Sequence, residues 1–165
     1  MSLFLPEIAV KHVMDIDYNL LQRFGIKGLI LDVDNTLTTH GHPEPSQGVI
    51  EWLEQMRRDG IQLMILSNNT TERVQPFAKK LGLEFISRAC KPIPIGLNKA
   101  VKRFGLQKDQ VALVGDQIYT DILGANLGKT HSILVEPFLL EDGILFRIKR
   151  KLERPWLNKY KKKGN

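Results

Sequence analysis

Asp32 and Asp34 stand one residue apart in the run Leu31-Asp32-Val33-Asp34-Asn35-Thr36-Leu37. Ser67-Asn68-Asn69 comes next, then Lys91-Pro92, then Gly115-Asp116 with Asp121 shortly after it. Two carboxylates separated by one residue, joined by a third from elsewhere in the fold, make a hard oxygen site suited to Mg²⁺. A hydroxyl and an ammonium beside them would hold the remaining oxygens of a phosphoryl group. Each residue alone has a plainer reading. Asp and Asn after strands form turns and cap helices. Lys-Pro is a turn dipeptide, and Asp121 suits the first turn of a helix, where the dipole favours an acid. The chemistry is carried by the ordered set.

Each group follows a short apolar run bounded by breakers. Residues 28–33, 61–66, 83–86, 111–114 and 132–135 read as five buried strands. Helical patterns lie between them. Residues 49–58 place Val49, Ile50, Leu53 and Met56 on one face, with Ser46 available as N-cap. A second helix runs to about Leu81, its start blurred by Pro76; a third covers 95–104 and stops at Gly105; a fourth covers 119–127. Strands apolar on both faces, alternating with helices, predict an α/β protein with a parallel sheet covered on both sides. Ligands of such sheets bind outside the carboxyl ends of the strands, where the strand order reverses. Four successive strands each deliver polar groups to that edge.

The 165 residues suit a single domain with one core, 42% apolar and 25% charged. It divides into an N-terminal segment (1–27), a core (28–143) and a basic tail (144–165). No run approaches the roughly 18 apolar residues of a spanning helix. The start, with an acid at Glu7 and no basic n-region, makes a poor secretory signal. The lone cysteine, Cys90, excludes an intramolecular disulfide framework or a Cys-rich zinc site and reads as a small buried hydrophobe. The expected location is cytoplasmic. The net charge of +6 is uneven: nine Lys or Arg face one acid, Glu153, from Ile144 onward. The basic excess belongs to the tail, so acidic partners are candidates for the tail alone.

The ordered set resembles the haloacid-dehalogenase-like phosphatases. Asp32-Val33-Asp34-Asn35-Thr36 matches their Asp-x-Asp-x-Thr signature, Ser67 their second motif, Lys91 their third, and Gly115-Asp116 with Asp121 their acidic fourth. The resemblance implies a three-layer, Rossmann-like fold, Mg²⁺ as cofactor and an aspartyl-phosphate intermediate. It implies Asp32 as nucleophile and Asp34 as general acid and base. The Asp32 carboxylate, the Asp34 main-chain carbonyl and Asp116 would be metal ligands. Asp121 would act through water or by pairing with Lys91. Thr36, Ser67, the Asn68 amide and Lys91 would hold the phosphorylated substrate. The gaps between motifs leave no room for the cap domain that many members insert, so the site is expected to be open. One cysteine argues against the capless subgroups with a Cys-rich zinc loop.

The pattern Asp15-Ile16-Asp17, Gly25-Ile26-Lys27-Gly28 and the stretch from Gly115 to Asn126 is similar to capless subfamily IIIA, small bacterial phosphatases related to mitochondrial phosphatidylglycerophosphate phosphatases. That similarity implies a lipid phosphate as substrate. Phosphatases of nucleotides, nucleic-acid ends or phosphoproteins stay open as alternatives, as does a binding module on a catalytic-looking scaffold. His40 and His42 rim the expected mouth, where they are substrate contacts, metal ligands or plain loop residues. Asp17 can cap a short helix through Phe24. In the tail, Ile144, Ile148, Leu152, Trp156 and Tyr160 recur every four residues among basic side chains. This fits an interfacial helix on anionic lipid or a helix packed on the core. Pro155 is expected to break or kink it, which would leave the last ten residues separate. Two aromatics are too few for a stacking platform, which counts against nucleic acid. Oligomeric state stays open.

Overall fold

The computed structural model describes residues 2–137 and 144–162. Its strands are β1 (Ile8–Val10), β2 (Gly28–Leu31), β3 (Gln62–Leu66), β4 (Glu84–Ile86), β5 (Val111–Gly115) and β6 (His131–Val135). Its α-helices are α1 (Tyr18–Arg23), α2 (Val49–Arg58), α3 (Thr71–Leu81), α4 (Ile95–Phe104), α5 (Leu123–Gly128) and α6 (Ile144–Lys162). The strands form one parallel sheet in the order β1-β6-β5-β2-β3-β4. From β2 the chain winds outward through β3 and β4, then returns to β5 on the other flank. The order therefore reverses between β2 and β5, and the crevice that binds ligands opens there.

Alternation along the strands fills both faces. Leu29 and Leu31 of β2 pack with Ile65, Val114 and Ile133 under α2 and α3, whose Val49, Leu53, Met56, Val74 and Phe77 are buried. Ile30 points the other way and joins Met64, Leu66 and Leu113 beneath Leu97, Ala100, Val101 and Phe104 of α4. The result is the expected three layers. The segments from β2 to β3 and from β3 to β4 hold loops and one helix each, with no cap domain.

The sheet has six strands where five apolar runs were read. The sixth, β1, is three residues long and pairs with β6, Ile8 opposite Ile133 and Val10 opposite Val135. Too short to show a period, it gains its place from that ladder and from the Glu7 N–H donated to Ser132 Oγ at 3.0 Å. Asp17 does cap α1, accepting from the Leu20 N–H at 2.7 Å. In α2 the cap is Gly48, held at φ 84°, and not Ser46. Trp52 takes the core position expected of Ile50, which is 48% exposed, because its indole N–H reaches the Ile16 carbonyl at 2.8 Å. Pro76 sits inside α3, whose start is Thr71.

Two further expectations are corrected. Cys90 is exposed, because the loop before Lys91 carries Arg88 and Cys90 at φ 48° and 58° and turns the thiol outward. Pro155 does not end the C-terminal helix, which runs through it to Lys162. Buried anchors on both sides, Glu153 and Tyr160, hold the helix against the core while Pro155 faces solvent. The four-residue stripe also divides, since each such step turns about 40° around a helix. Ile148 and Leu152 are 51% and 57% exposed, whereas Trp156 and Leu157 pack against Ile118, Ile122 and Leu134. Ile144 is in the helix, but its side chain and residues 138–143 lie outside the described residues.

Candidate active site

Leu31 of β2 lies opposite Val114 of β5, and the Asp32 N–H continues the ladder to the Val114 carbonyl at 2.9 Å. Asp32 and Asp116 therefore leave the sheet from adjacent strands at the reversal point. Asp121 arrives from a π-helical turn, Ile118–Ile122, that leads into α5. Such turns re-aim a side chain that a regular helix would direct elsewhere. Gly115 makes room for it, since any Cβ there would collide with the Asp121 carboxylate.

Lys91 ties this group together. Its ammonium donates to Asp32 Oδ1 at 2.6 Å, to Asp121 Oδ1 at 2.7 Å and to the Leu66 carbonyl at 2.9 Å, using all three hydrogens. Asn68 locks the lysine main chain in place. Its Oδ1 accepts the Lys91 N–H at 2.7 Å, and its Nδ2 donates to the Lys91 carbonyl at 2.9 Å. Burial alone would lower the Lys91 pKa, but the paired carboxylates of Asp121 and Asp32 raise it, so the ammonium stays charged. Burial pushes the Asp32 carboxyl up to about 7 against the pull of Lys91, with Asp121 and Asp34 adding like charge. Asp116 is raised well above the ordinary carboxylate value by burial and by its two acidic neighbours, with Arg150 opposing.

These three buried acids offer oxygens within 4.8 Å of one another, and among the described residues they form the acidic group able to hold a metal. Asp116 Oδ1 is buried with no hydrogen-bond partner among the described residues. An orphaned carboxylate oxygen in a hard, oxygen-only set fits Mg²⁺.

An open cavity of about 280 Å³ lies over the strand ends, lined by Asp32, Asp34, Ser67, Asn68 and Lys91. His40, Asn69, Gln117 and Thr120 complete the lining. Ser67 Oγ accepts the Asn69 N–H at 3.1 Å, which leaves its own hydrogen to donate. Asp34 sits at the rim. Its Oδ1 accepts from the Gly41 N–H at 2.9 Å and Arg73 Nη2 at 3.2 Å, and its Oδ2 from Asn69 Nδ2 at 3.1 Å. Its carboxylate is not part of the acidic trio. Thr36 is fully buried in the signature turn and does not line the cavity. His42 contributes its carbonyl, which accepts from Arg73 Nη2 at 2.8 Å.

Sequence reading missed two groups. Arg73 holds Asp34 and the mouth loop together. It lies in the first turn of α3, where the helix dipole disfavours a cation, and that misfit was the available signal. Arg150 of α6 reaches Asp116, its Nη2 2.5 Å from Oδ2. Its partner Glu153, at 2.8 Å, was visible as the one acid of the basic tail.

A family profile described as haloacid dehalogenase-like hydrolase matches residues 42–128. The probable phosphatase YqeG of Bacillus subtilis is 40% identical over 162 residues, 98% of this chain and 94% of that protein. The chain belongs to the haloacid dehalogenase-like hydrolases. It is thus an enzyme, a phosphatase. The chloroplastic and mitochondrial phosphatidylglycerophosphate phosphatase 1 of Arabidopsis thaliana is 29% identical over 97% of this chain, which spans 49% of that longer protein. The fold is also that of the 4-nitrophenylphosphatase of Thermotoga maritima, with a TM-score of 0.59 and 15% identity over 79% of this chain and 90% of that one.

Proposed function

We propose that this phosphatase cleaves a phosphomonoester in two steps through an aspartyl-phosphate on Asp32, with Mg²⁺ as cofactor. The observation that carries the reading is the Lys91 ammonium shared between Asp32 and Asp121 at the floor of an open cavity. It fixes the nucleophile and sets a permanent positive charge beside it. Asp32, Asp116 and the main-chain carbonyl of Asp34 would hold the metal, with Asp121 acting through Lys91. Mg²⁺ bound there supplies charge that lets a carboxylate approach an anionic phosphate.

In the first step an Asp32 oxygen attacks phosphorus, the bond to the leaving alcohol breaks, and Asp34 delivers a proton to the departing oxygen. In the second, Asp34 takes a proton from water as the water oxygen attacks the same phosphorus. The bond to Asp32 breaks, and inorganic phosphate leaves. Ser67 donates its hydroxyl to a phosphate oxygen, the Asn68 amide binds another, and Lys91 offsets their charge. Thr36 serves from within the signature turn, its N–H donated to the Val33 carbonyl at 3.2 Å.

The proposed substrate is phosphatidylglycerophosphate at an anionic membrane surface, reached from the cytoplasm. Support comes from the activity named for the Arabidopsis relative and from the lack of a cap over the site. The outer face of α6 adds Ile148 and Leu152, both exposed, beside Arg147, Lys151 and Arg154. No helix among the described residues is long and apolar enough to cross a membrane, so contact would be peripheral.

The test is phosphate release with and without Mg²⁺, comparing phosphatidylglycerophosphate in detergent micelles with nucleotides, phosphorylated nucleic-acid ends, phosphopeptides and small esters. Asp32→Asn is the control. Mg²⁺-dependent release favouring the lipid and absent in the variant is the expected result. Release from soluble esters alone removes the lipid and keeps the mechanism. Activity retained in Asp32→Asn removes the mechanism.

A further inference from the structure

The family motifs supply the acids of the site but not what orients Asp116. That residue is fully buried, and its support comes from the other end of the chain. Arg150 Nη2 meets Asp116 Oδ2 at 2.5 Å, while Nη1 donates to the Asp116 carbonyl and to Glu153 Oε2, both at 2.8 Å. Glu153 is itself fully buried, and its Oε1 accepts the Ile118 N–H at 2.9 Å. The pair therefore grips the turn after β5 at three points: the Asp116 side chain, its carbonyl, and an amide two residues on.

We propose that Arg150 and Glu153 are positioning residues for the metal ligand Asp116, so that the C-terminal helix is a working part of the metal site. This rests on the reading of Asp32, Asp116 and the Asp34 main-chain carbonyl as the ligands of a Mg²⁺ site. Two features set the pair apart from an ordinary helix anchor. Docking of α6 already has neutral contacts: the Tyr119 hydroxyl donates to the Leu152 carbonyl at 3.0 Å, Trp156 Nε1 donates to the Tyr119 oxygen at 3.2 Å, and Phe4 stacks on Trp156. Burying an ion pair carries a desolvation cost that such a joint does not require. The second feature is the division of the Asp116 carboxylate. The guanidinium takes Oδ2, and Oδ1 is the oxygen without a hydrogen-bond partner among the described residues. A planar donor fork that holds one oxygen and the adjacent carbonyl fixes the direction of the other. Outer partners of this kind orient metal ligands, and their loss typically weakens metal binding about 10–100-fold. The same positive charge offsets part of the repulsion within the acidic trio.

A competing role is that of a plug, a cation that Mg²⁺ must displace. The two roles predict opposite signs. The test is calorimetric titration of the full chain with MgCl₂, using Arg150→Met to keep the stem without the charge, Arg150→Lys, and Glu153→Gln. Circular dichroism establishes that each variant is folded. Arg150→Met is expected to bind Mg²⁺ about 10–100-fold more weakly. Arg150→Lys should recover part of the loss, and Glu153→Gln, which keeps an acceptor for Ile118 but frees Arg150 to shift, should show a smaller one. Affinity unchanged in folded Arg150→Met reduces the pair to packing and overturns the proposal; tighter binding identifies a plug and overturns it too. If Arg150→Met does not fold, Glu153→Gln decides, and unchanged affinity there overturns it. Wild-type protein that binds no Mg²⁺ would instead sink the metal site itself, a separate failure.

Discussion

Asp32 and Asp34 are separated by one residue, yet they inhabit different environments. Asp32 lies at the strand end, buried, its oxygen held at 2.6 Å by an ammonium that Asn68 locks from behind. Asp34 lies at the rim, held by a loop amide, an amide side chain and an arginine that also grips the mouth loop. One is fixed by the sheet and the other by groups from the mouth loop, the loop after β3 and the start of α3. This matches their proposed work: a nucleophile must be held in line with phosphorus, whereas a group that gives and then takes a proton must serve two positions.

The comparison breaks first at Asp32. Asp32→Asn removes the attacking oxygen and should cost about 10⁴–10⁶-fold in kcat, the scale of losing a covalent nucleophile. The loss should be equal for alkyl and 4-nitrophenyl phosphates. Asp34→Asn should cost about 10²–10⁴-fold on an alkyl phosphate, the range of general acid–base catalysis. Its first step should suffer less on 4-nitrophenyl phosphate, whose leaving group departs without a proton. Rapid-quench measurement of the first turnover separates the two variants, and equal first-step losses on both substrates would deny Asp34 the acid role.

Arg73 sharpens the comparison from the rim side. Arg73→Ala frees Asp34 and the His42 carbonyl together, and misplacement on the scale of an ångström costs about 10²-fold. The expected pattern is a fall in kcat that is larger for the alkyl than for the aryl ester, with partial recovery in Arg73→Lys. A uniform change in KM alone would show that Arg73 holds the mouth loop and not the acid.

The same contrast explains what could be read from sequence. The residues at strand ends were legible because a buried parallel strand is a bounded apolar run, and the polar residue after it must emerge at the binding edge. Asp32, Ser67, Lys91 and Asp116 all follow such runs. Arg73 was less legible, because its role depends on a loop folding back over a helix start. Arg150 and Glu153 were further still. They meet Asp116 and Ile118 across some 34 residues of sequence, and the basic residues around them fitted a lipid-facing helix as well as one packed on the core. The stripe of apolar residues hid this, since it winds around the helix: among its described side chains Ile148 and Leu152 are exposed, and Trp156 and Tyr160 meet the core. Strand β1 was too short for any period, and Ile50 and Trp52 both satisfied an apolar helix face until the indole found Ile16.

The smallest expected effect lies in pH and tests the buried half of the comparison. Burial and like charge raise the Asp32 carboxyl to about 7 in the metal-free protein and push Asp116 well above its ordinary value. Both groups thus bind protons more tightly folded than unfolded. Their contribution to stability is fully present below the unfolded pKa and is lost as pH rises through the folded one. Metal-free protein should therefore lose stability as pH rises between about 4 and 7 on account of Asp32, with Asp116 acting in the same direction. Mg²⁺ requires ionised carboxylates, so its apparent affinity should rise with pH, roughly tenfold per unit for each proton released, and level off above 7. The readout is the shift in unfolding midpoint on adding Mg²⁺, larger at pH 8 than at pH 6. Asp32→Asn should flatten part of that dependence by removing one titrating acid. A midpoint shift independent of pH would mean that the trio is already ionised before the metal arrives, and that Lys91 and Arg150 together outweigh burial.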